Sequence, residues 1–87
     1  MYSVEYTLNA IKDLNKLSPE IKKRIFNKIR EIKEDPYSDV KKLKMSAKSP
    51  MYSLRVGDYR VIIVIKDPML IIQVVTVGNR SNIYRNY

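Results

Sequence analysis

Two apolar runs separated by a two-residue turn signal constrain the fold of this chain more than any other feature. Residues 51–56 and 59–66 have the length and the β-branched and aromatic content of strands, and Gly57-Asp58 lies between them. A two-residue connection that contains glycine favours a tight turn between antiparallel strands. The C-terminal half is therefore expected to form an antiparallel sheet around a β-hairpin.

The N-terminal part changes its period from two residues to helical spacing. Tyr2, Val4 and Tyr6 alternate with polar residues, which is typical of a half-buried strand. Apolar residues at helical spacing follow between residues 8 and 17 and predict a short amphipathic helix. A strand followed by a helix is therefore expected at the start of the chain.

A second helix is predicted to begin at Ser18-Pro19-Glu20. Ser18 is an N-cap candidate, Pro19 suits the first helical position, and Glu20 lies where the helix dipole favours negative charge. The helix is expected to end by Asp35, because Pro36 disfavours helical geometry in the residue before it. The two helices then form a hairpin.

The remaining segments complete a predicted order of βααβββ. Residues 37–50 show no clean period and are rich in Lys and Ser, which predicts a basic loop, and a turn at Asp67-Pro68 leads into a last strand over residues 70–77. The predicted fold is α+β, an antiparallel sheet with an N-terminal helical hairpin packed on one face. With 87 residues the chain is expected to be a single domain, residues 1–87.

The hairpin register predicts which side chains share a face. The predicted opposed pairs are Val56 with Tyr59, Arg55 with Arg60, and Leu54 with Val61. One face is apolar and is expected to receive the helices: Tyr52, Leu54, Val56, Tyr59, Val61, Ile63 and Ile65. The other face carries Ser53, Arg55, Arg60 and Ile62.

Two arginines opposite each other repel, at a cost of a few tenths of a kcal/mol up to about 1 kcal/mol. Arg55 and Arg60 can either turn apart into solvent or hold an anion between them. A phosphate would suit the planar guanidinium groups.

The residue types that the chain lacks exclude several classes of enzyme. With no Cys it has no thiolate zinc site, and with no His it lacks the commonest general base near neutral pH. Zinc hydrolases, catalytic triads and His-based nucleases are therefore excluded, and we expect neither a metal nor a cofactor. The N-terminus has no basic start and no apolar core of signal-peptide length, so a cytoplasmic location without a membrane partner is expected.

Positive charge is concentrated in the C-terminal half of the chain. The net charge is +8; residues 1–39 hold eight basic and seven acidic residues, whereas residues 40–87 hold nine and two. Such a field favours a polyanion, either nucleic acid or an acidic protein. The four lysines between residues 41 and 48 can equally form a solvated loop surface. The candidate nucleic-acid contacts are Lys41, Lys42, Lys44, Lys48, Arg55 and Arg85.

The C-terminal half resembles the RelE/ParE toxin superfamily, and the RelE branch in particular. The residues that carry the resemblance are YSLRVGDYRVIIVI, a turn with proline, and IIQVVTVGNRSNIY. The resemblance extends over most of the chain and implies the toxin of a type II toxin–antitoxin pair. It further implies an endoribonuclease that enters the A site of the 30S ribosomal subunit, cuts mRNA without a metal and so inhibits translation, with a RelB-like antitoxin as its partner.

The resemblance also assigns candidate catalytic residues. The arginines of DYR and GNR are Arg60 and Arg80, which it implies bind the scissile phosphate, and the matching tail tyrosine is Tyr84, near the attacking 2′-hydroxyl. Where RelE enzymes carry two lysines, this chain has Met51 and Ser53. Because no His is present, Lys, Tyr, a carboxylate or the ribosome must transfer the protons, and Lys44 and Lys48 are candidates.

Two other functions stay open. The first is a ParE-like toxin that inhibits DNA gyrase and cuts nothing, which the missing lysine pair favours. The second is an inactive homologue that acts only with its antitoxin in a DNA-binding repressor complex. Arg60, Arg80 and Tyr84 together favour the nuclease, because a phosphate site without catalysis leaves three matched positions unexplained.

Overall fold

The structure, a computed structural model, describes residues 1–43 and 50–81. Within them a 3₁₀ turn at Asp67–Met69 connects the last two strands. No helix in these two ranges is long and apolar enough to cross a membrane. The elements in chain order are β1 (Ser3–Tyr6), α1 (Leu8–Asn15), α2 (Pro19–Ile32), β2 (Val40–Lys42), β3 (Met51–Val56), β4 (Tyr59–Lys66) and β5 (Ile71–Asn79).

The five strands form one mixed sheet in the order β1-β5-β4-β3-β2. This confirms the predicted α+β class and the helical hairpin between the first and second predicted strands. Two details of the prediction are wrong. The segment 37–50 is not loop throughout, because β2 pairs antiparallel with β3, and the sheet is not wholly antiparallel, because β1 pairs parallel with β5.

Both differences come from pairing between distant parts of the chain. A strand of three residues is too short to show a period of two, so β2 leaves no periodic signal. The direction of β1 depends on where the helical hairpin returns the chain to the sheet, which no local pattern encodes.

The helix starts follow the predicted caps. The Ser18 hydroxyl accepts a hydrogen bond from the Ile21 amide, with Pro19 at the first position of α2, and Thr7 caps α1 through the Ala10 amide. These caps orient the apolar stripes of both helices toward one face of the sheet. The buried core joins Ala10, Leu14, Ile25, Ile29 and Ile32 of the helices to Leu54, Val56, Val61, Ile63, Ile65, Ile72, Val74 and Val77 of the strands.

The β3–β4 hairpin has the predicted register, including Arg55 opposite Arg60. Gly57 has φ +59°, while Asp58 is not in the left-handed region. Glycine with positive φ at the first central position is the arrangement of a type II′ turn, whose twist matches that of the flanking strands. The hairpin therefore fixes both arginines on the sheet face that turns away from the helices.

A bulge between β4 and β5 changes what lies beside Arg60. The register shifts at Ile62/Ile63, so that Arg60 lies opposite Gly78. Without the extra residue in β5, Val77 would occupy that place. Because glycine has no side chain, the bulge leaves room beside Arg60 on the sheet face opposite the helices, which is a common use of bulges near functional sites.

A tyrosine–aspartate cluster joins the residue before β1 and the segment before β2 to the turn after β4. Asp67 accepts hydrogen bonds from the hydroxyls of Tyr2 at 2.6 Å and Tyr37 at 2.5 Å. Both hydrogen bonds lower the pKa of Asp67, and the bond from Tyr2 has the larger effect. The pKa of Tyr37 is raised, mainly by burial and next by the hydrogen bond to Asp67. The Tyr37 ring also packs edge-to-face on Tyr52, with centroids 5.4 Å apart.

Candidate nucleic-acid interface

A cleft of about 610 Å³ opens on the sheet face opposite the helices. Its walls come from the segment that leads into β2 and from the β3–β4 hairpin, and the cluster at Asp67 ties that segment down through Tyr37. The cleft thus combines charged side chains with two walls whose backbone is held by the sheet and by the Tyr37–Asp67 hydrogen bond. Its lining residues are Ser38, Asp39, Val40, Lys41, Leu43, Ser53, Arg55 and Arg60.

Arg55 and Arg60 share this cleft as directly opposed residues. The pair next to a two-residue turn is hydrogen-bonded, so Arg55 and Arg60 form the following, non-hydrogen-bonded pair, whose Cα atoms lie about 4.5 Å apart in such ladders. Arg55 is exposed and Arg60 is half-buried. The Arg60 guanidinium makes one weak bond of 3.4 Å, to the Tyr59 carbonyl.

Neither guanidinium has a carboxylate partner in the described part of the chain. Among residues 1–43 and 50–81, no carboxylate lies within 4.0 Å of Arg55 or Arg60, and the ion pairs found there belong to Lys28. Two adjacent guanidinium groups with open donors repel each other and attract an anion. The planar fork of arginine suits the oxygens of a phosphate in particular.

The same cleft contains a carboxylate, that of Asp39, which the sequence analysis did not single out. The Lys28 ammonium of α2 lies 2.5 Å from its Oδ2 and 3.9 Å from a Glu31 oxygen. The bond to Asp39 raises the pKa of Lys28. Asp39 is therefore held at the cleft wall by a helix rather than by the cleft arginines.

Lys41 and Lys42 lie on opposite faces of the sheet. Lys41 is opposite Ser53 and lines the cleft, whereas Lys42 is opposite Tyr52, which packs against the core on the helix side. Alternation along β2 accounts for this separation. Of the two predicted contacts, the structure brings only Lys41 to Arg55 and Arg60.

Arg80 lies at the same end of the sheet but lines a different depression. Its backbone amide donates to the Asp58 carbonyl at 2.9 Å, which continues the β4–β5 ladder past Asn79. The depression has a volume of about 310 Å³, and no carboxylate of the described ranges lies within 4.0 Å of the Arg80 guanidinium. Arg60 and Arg80 therefore line two different depressions at this end of the sheet. The lining residues are Asp58, Asn79, Arg80 and Ser81.

Four predicted site residues, Lys44, Lys48, Tyr84 and Arg85, lie outside the described residues. Their roles stay predictions. Within the described ranges, no group of three or more His, Cys, Asp or Glu residues is placed to hold a metal ion.

One protein family matches nearly the whole chain. The sequence model of the ParE toxin of type II toxin–antitoxin systems matches residues 4–84. The chain belongs to this toxin family. The RelE/ParE membership predicted from the hairpin and GNR motifs is thereby confirmed, and this toxin can be compared with solved structures of its relatives.

Three solved toxin–antitoxin complexes share the fold. The RelE–RelB complex of Pyrococcus horikoshii is 25% identical, with 93% of this chain and 97% of that chain covered and a TM-score of 0.80. The RelBE complex of Mycobacterium tuberculosis is 28% identical over 91% and 98%, with a TM-score of 0.81. The RelB–RelE complex of Methanococcus jannaschii is 26% identical over 95% and 98%, with a TM-score of 0.73. Curated protein sequences give no match.

Proposed function

We propose that this toxin is an endoribonuclease that cuts mRNA in the ribosomal A site and so inhibits translation. The observation that carries the proposal is the convergence of Lys41, Arg55 and Arg60 on one cleft, where neither guanidinium has a carboxylate partner in the described ranges. A cleft with this charge and these donors fits the backbone of a single-stranded RNA.

The proposed reaction is attack of a ribose 2′-hydroxyl on the adjacent phosphorus. The 2′-oxygen–phosphorus bond forms, the bond to the 5′-oxygen breaks, and the products are a 2′,3′-cyclic phosphate and a free 5′-hydroxyl. A base takes the proton of the 2′-hydroxyl, and an acid or a cation meets the leaving oxygen. Arg60, which lines the cleft, stabilises the charge that develops on the phosphate oxygens. In this proposal Arg80 would reach the same phosphate from the neighbouring depression that it lines at this end of the sheet.

Asp39 is the proposed proton acceptor. It is the one carboxylate among the described residues that line the cleft, and the ion pair with Lys28 holds it there. A carboxylate in that place supplies the base that a chain without His otherwise lacks. Tyr84 acts close to the 2′-hydroxyl in this proposal.

Lys41 takes the place of one of the missing lysines. RelE-like toxins are expected to carry lysine at the position of Ser53, and in this chain Lys41 lies directly opposite Ser53 in the β2–β3 ladder. The ammonium group therefore reaches the same cleft from the neighbouring strand. Lys44 and Lys48 follow Lys41 in sequence and are further proposed RNA contacts, as is Arg85.

The proposed protein partner is an antitoxin of the RelB type. The three compared toxins are described as complexes with RelB or as a RelBE toxin–antitoxin pair. An antitoxin that covers the cationic face would have to be acidic there, since the residues from 40 onward hold nine basic and two acidic residues. Because its proposed target is the ribosome, the proposed location is the cytoplasm.

A second candidate function is inhibition of DNA gyrase without cleavage of RNA. The match to the ParE family, together with Met51 and Ser53 at the lysine positions, favours it. An inactive toxin that acts only in a repressor complex is a third, and growth arrest on expression would exclude it.

One pair of assays separates these functions. The purified toxin is added to a translation extract and the ends of the message are mapped, while its effect on gyrase supercoiling is measured in parallel. Cuts at fixed positions within codons support the nuclease. Blocked supercoiling with intact message overturns it in favour of the second function.

A further inference from the structure

The side chain of Arg24 packs against the β3–β4 turn. A β-carbon built on Gly57 would lie 3.0 Å from Nη2 of Arg24 and 3.6 Å from its Cζ and Nη1. The guanidinium of α2 therefore occupies space that a glycine leaves open. Glycine at position 57 thus has two effects: it adopts the positive φ of the turn, and its lack of a side chain allows the close approach of Arg24.

Arg24 and Arg55 line a second depression of about 310 Å³, between α2 and the end of the β3–β4 hairpin. In the described ranges, no carboxylate lies within 4.0 Å of either guanidinium. Glu31, which also lines the depression, is paired with Lys28 at 3.9 Å. The depression therefore holds two guanidinium groups whose charge is not neutralised, one of them packed against the turn. Its lining residues are Arg24, Asn27, Lys28, Glu31, Arg55, Val56 and Gly57.

Arg55 connects this depression to the cleft described above, since it lines both. Arg60, Arg55 and Arg24 then follow one another from the open face of the sheet, past the hairpin, to α2. Three guanidinium groups in a row, none of them with a carboxylate partner in the described ranges, match the repeating phosphates of an extended strand better than a single anion.

We propose that Arg24 and Arg55 form a second phosphate-binding site, which holds a phosphodiester of the same RNA strand next to the scissile one. This inference rests on the proposed function, because the ligand is the substrate RNA. The forked donors of Arg24 bind the phosphate oxygens, and the Asn27 amide can bond a ribose or a base at the same place. The site binds the strand and takes no part in the proton transfers.

The test measures binding of a short single-stranded RNA that carries 2′-O-methyl groups on every ribose. Such an RNA has no 2′-hydroxyl and cannot be cut by the proposed reaction. The full-length toxin is compared with Arg24→Gln and with Arg30→Gln, an exposed position on the same helix that makes the same change of charge. Fluorescence anisotropy of the labelled RNA is followed between about 50 and 200 mM salt.

Arg24→Gln is expected to weaken binding by roughly tenfold, as for loss of a charge-assisted hydrogen bond. It should also make the plot of log affinity against log salt shallower by about 0.7, the value for one phosphate contact on a single strand. Arg30→Gln should change neither. Arg24→Lys keeps the charge and should restore the salt slope but only part of the affinity.

Equal binding by Arg24→Gln and Arg30→Gln would overturn the second site, as would a loss of antitoxin binding with RNA binding unchanged. Mapping of message ends on ribosomes distinguishes this failure from failure of the proposed function. If the wild-type toxin cuts message while the two variants bind RNA alike, only the second site is wrong. If the wild-type toxin neither binds the RNA nor cuts message, the nuclease and the second site fail together.

Discussion

Arg55 lies directly opposite Arg60 in the β3–β4 ladder, on the sheet face opposite the one that α1 and α2 cover. Within the described ranges neither arginine has a carboxylate within 4.0 Å, so the fold holds two like charges together without neutralising them. Such a pair lowers the stability of the free protein and raises its affinity for an anion.

Replacing one arginine of this pair should stabilise the free toxin. Arg55 is exposed, and Arg55→Gln removes its repulsion with Arg60. We therefore expect the free energy of unfolding to rise by a few tenths of a kcal/mol up to about 1 kcal/mol. The gain should shrink at high salt, because exposed charges are screened. Urea denaturation at low and high salt measures it. An unchanged or lower stability at low salt would mean that the two side chains do not repel.

Lys41 and Lys42 should differ in their effect on activity although they are neighbours. Lys41→Ala removes an ammonium from the cleft and should reduce the rate of message cleavage by about tenfold or more. Lys42 lies on the other face of the sheet, so Lys42→Ala should reduce that rate much less. Cleavage rates on ribosomes programmed with one message provide the comparison. Equal losses in the two variants would contradict the placement of the RNA in the cleft.

Asp39→Asn should slow the chemical step without weakening binding. The amide keeps the shape of the side chain but cannot take the proton of the 2′-hydroxyl, so the cleavage rate at saturating toxin should fall by about 10² or more. The affinity for a 2′-O-methyl RNA should not fall. Asp35→Asn, which removes a carboxylate outside the cleft, serves as the control. A near-wild-type rate for Asp39→Asn would show that another group is the base.

The cluster of Tyr2, Tyr37 and Asp67 should make stability depend on pH at both ends of the scale. The pKa of Asp67 is lowered in the folded protein, so its stabilisation is present above the unfolded value of about 3.9 and is lost as the pH falls below it. The pKa of Tyr37 is raised, so its contribution is present below about pH 10 and is lost as the pH rises above it.

Urea denaturation near pH 3, pH 7 and pH 10.5 tests this dependence. Tyr37→Phe removes one hydroxyl from the cluster, so both the acid and the alkaline losses should be smaller than in the wild-type protein. Tyr59→Phe deletes a hydroxyl that does not contact Asp67 and should keep the wild-type dependence. If Tyr37→Phe follows the wild-type curve at both ends, the cluster does not set the pH dependence.

The parts of this structure that the sequence predicted are those that local chemistry determines. Gly57-Asp58 specifies the hairpin turn and with it the pairing of Arg55 with Arg60, and Ser18-Pro19 specifies the start of α2. Each signal acts over a few residues, and the strands and helices it starts are long enough to show their period.

The parts that the sequence did not predict depend on contacts between distant residues. Asp39 enters the cleft only because β2 pairs with β3, and a strand of three residues has no visible period. In the sequence Arg24 looks like any exposed residue of a helix. Its contact with the hairpin turn appears only when α2 packs beside Gly57. The bulge that places Gly78 beside Arg60 likewise exists only in the pairing of β4 with β5.

The cleavage rate of Arg60→Ala on programmed ribosomes tests the central claim most directly. The toxin is used in excess over the ribosomes, so that the rate reports the chemical step, and Arg30→Ala is the control with the same loss of charge away from the cleft. If the cleft of Lys41, Arg55 and Arg60 holds the scissile phosphate, Arg60→Ala should cut at least about 10²-fold more slowly while Arg30→Ala cuts at the wild-type rate. A folded Arg60→Ala variant that cuts message as fast as the wild-type toxin would contradict the assignment of this cleft.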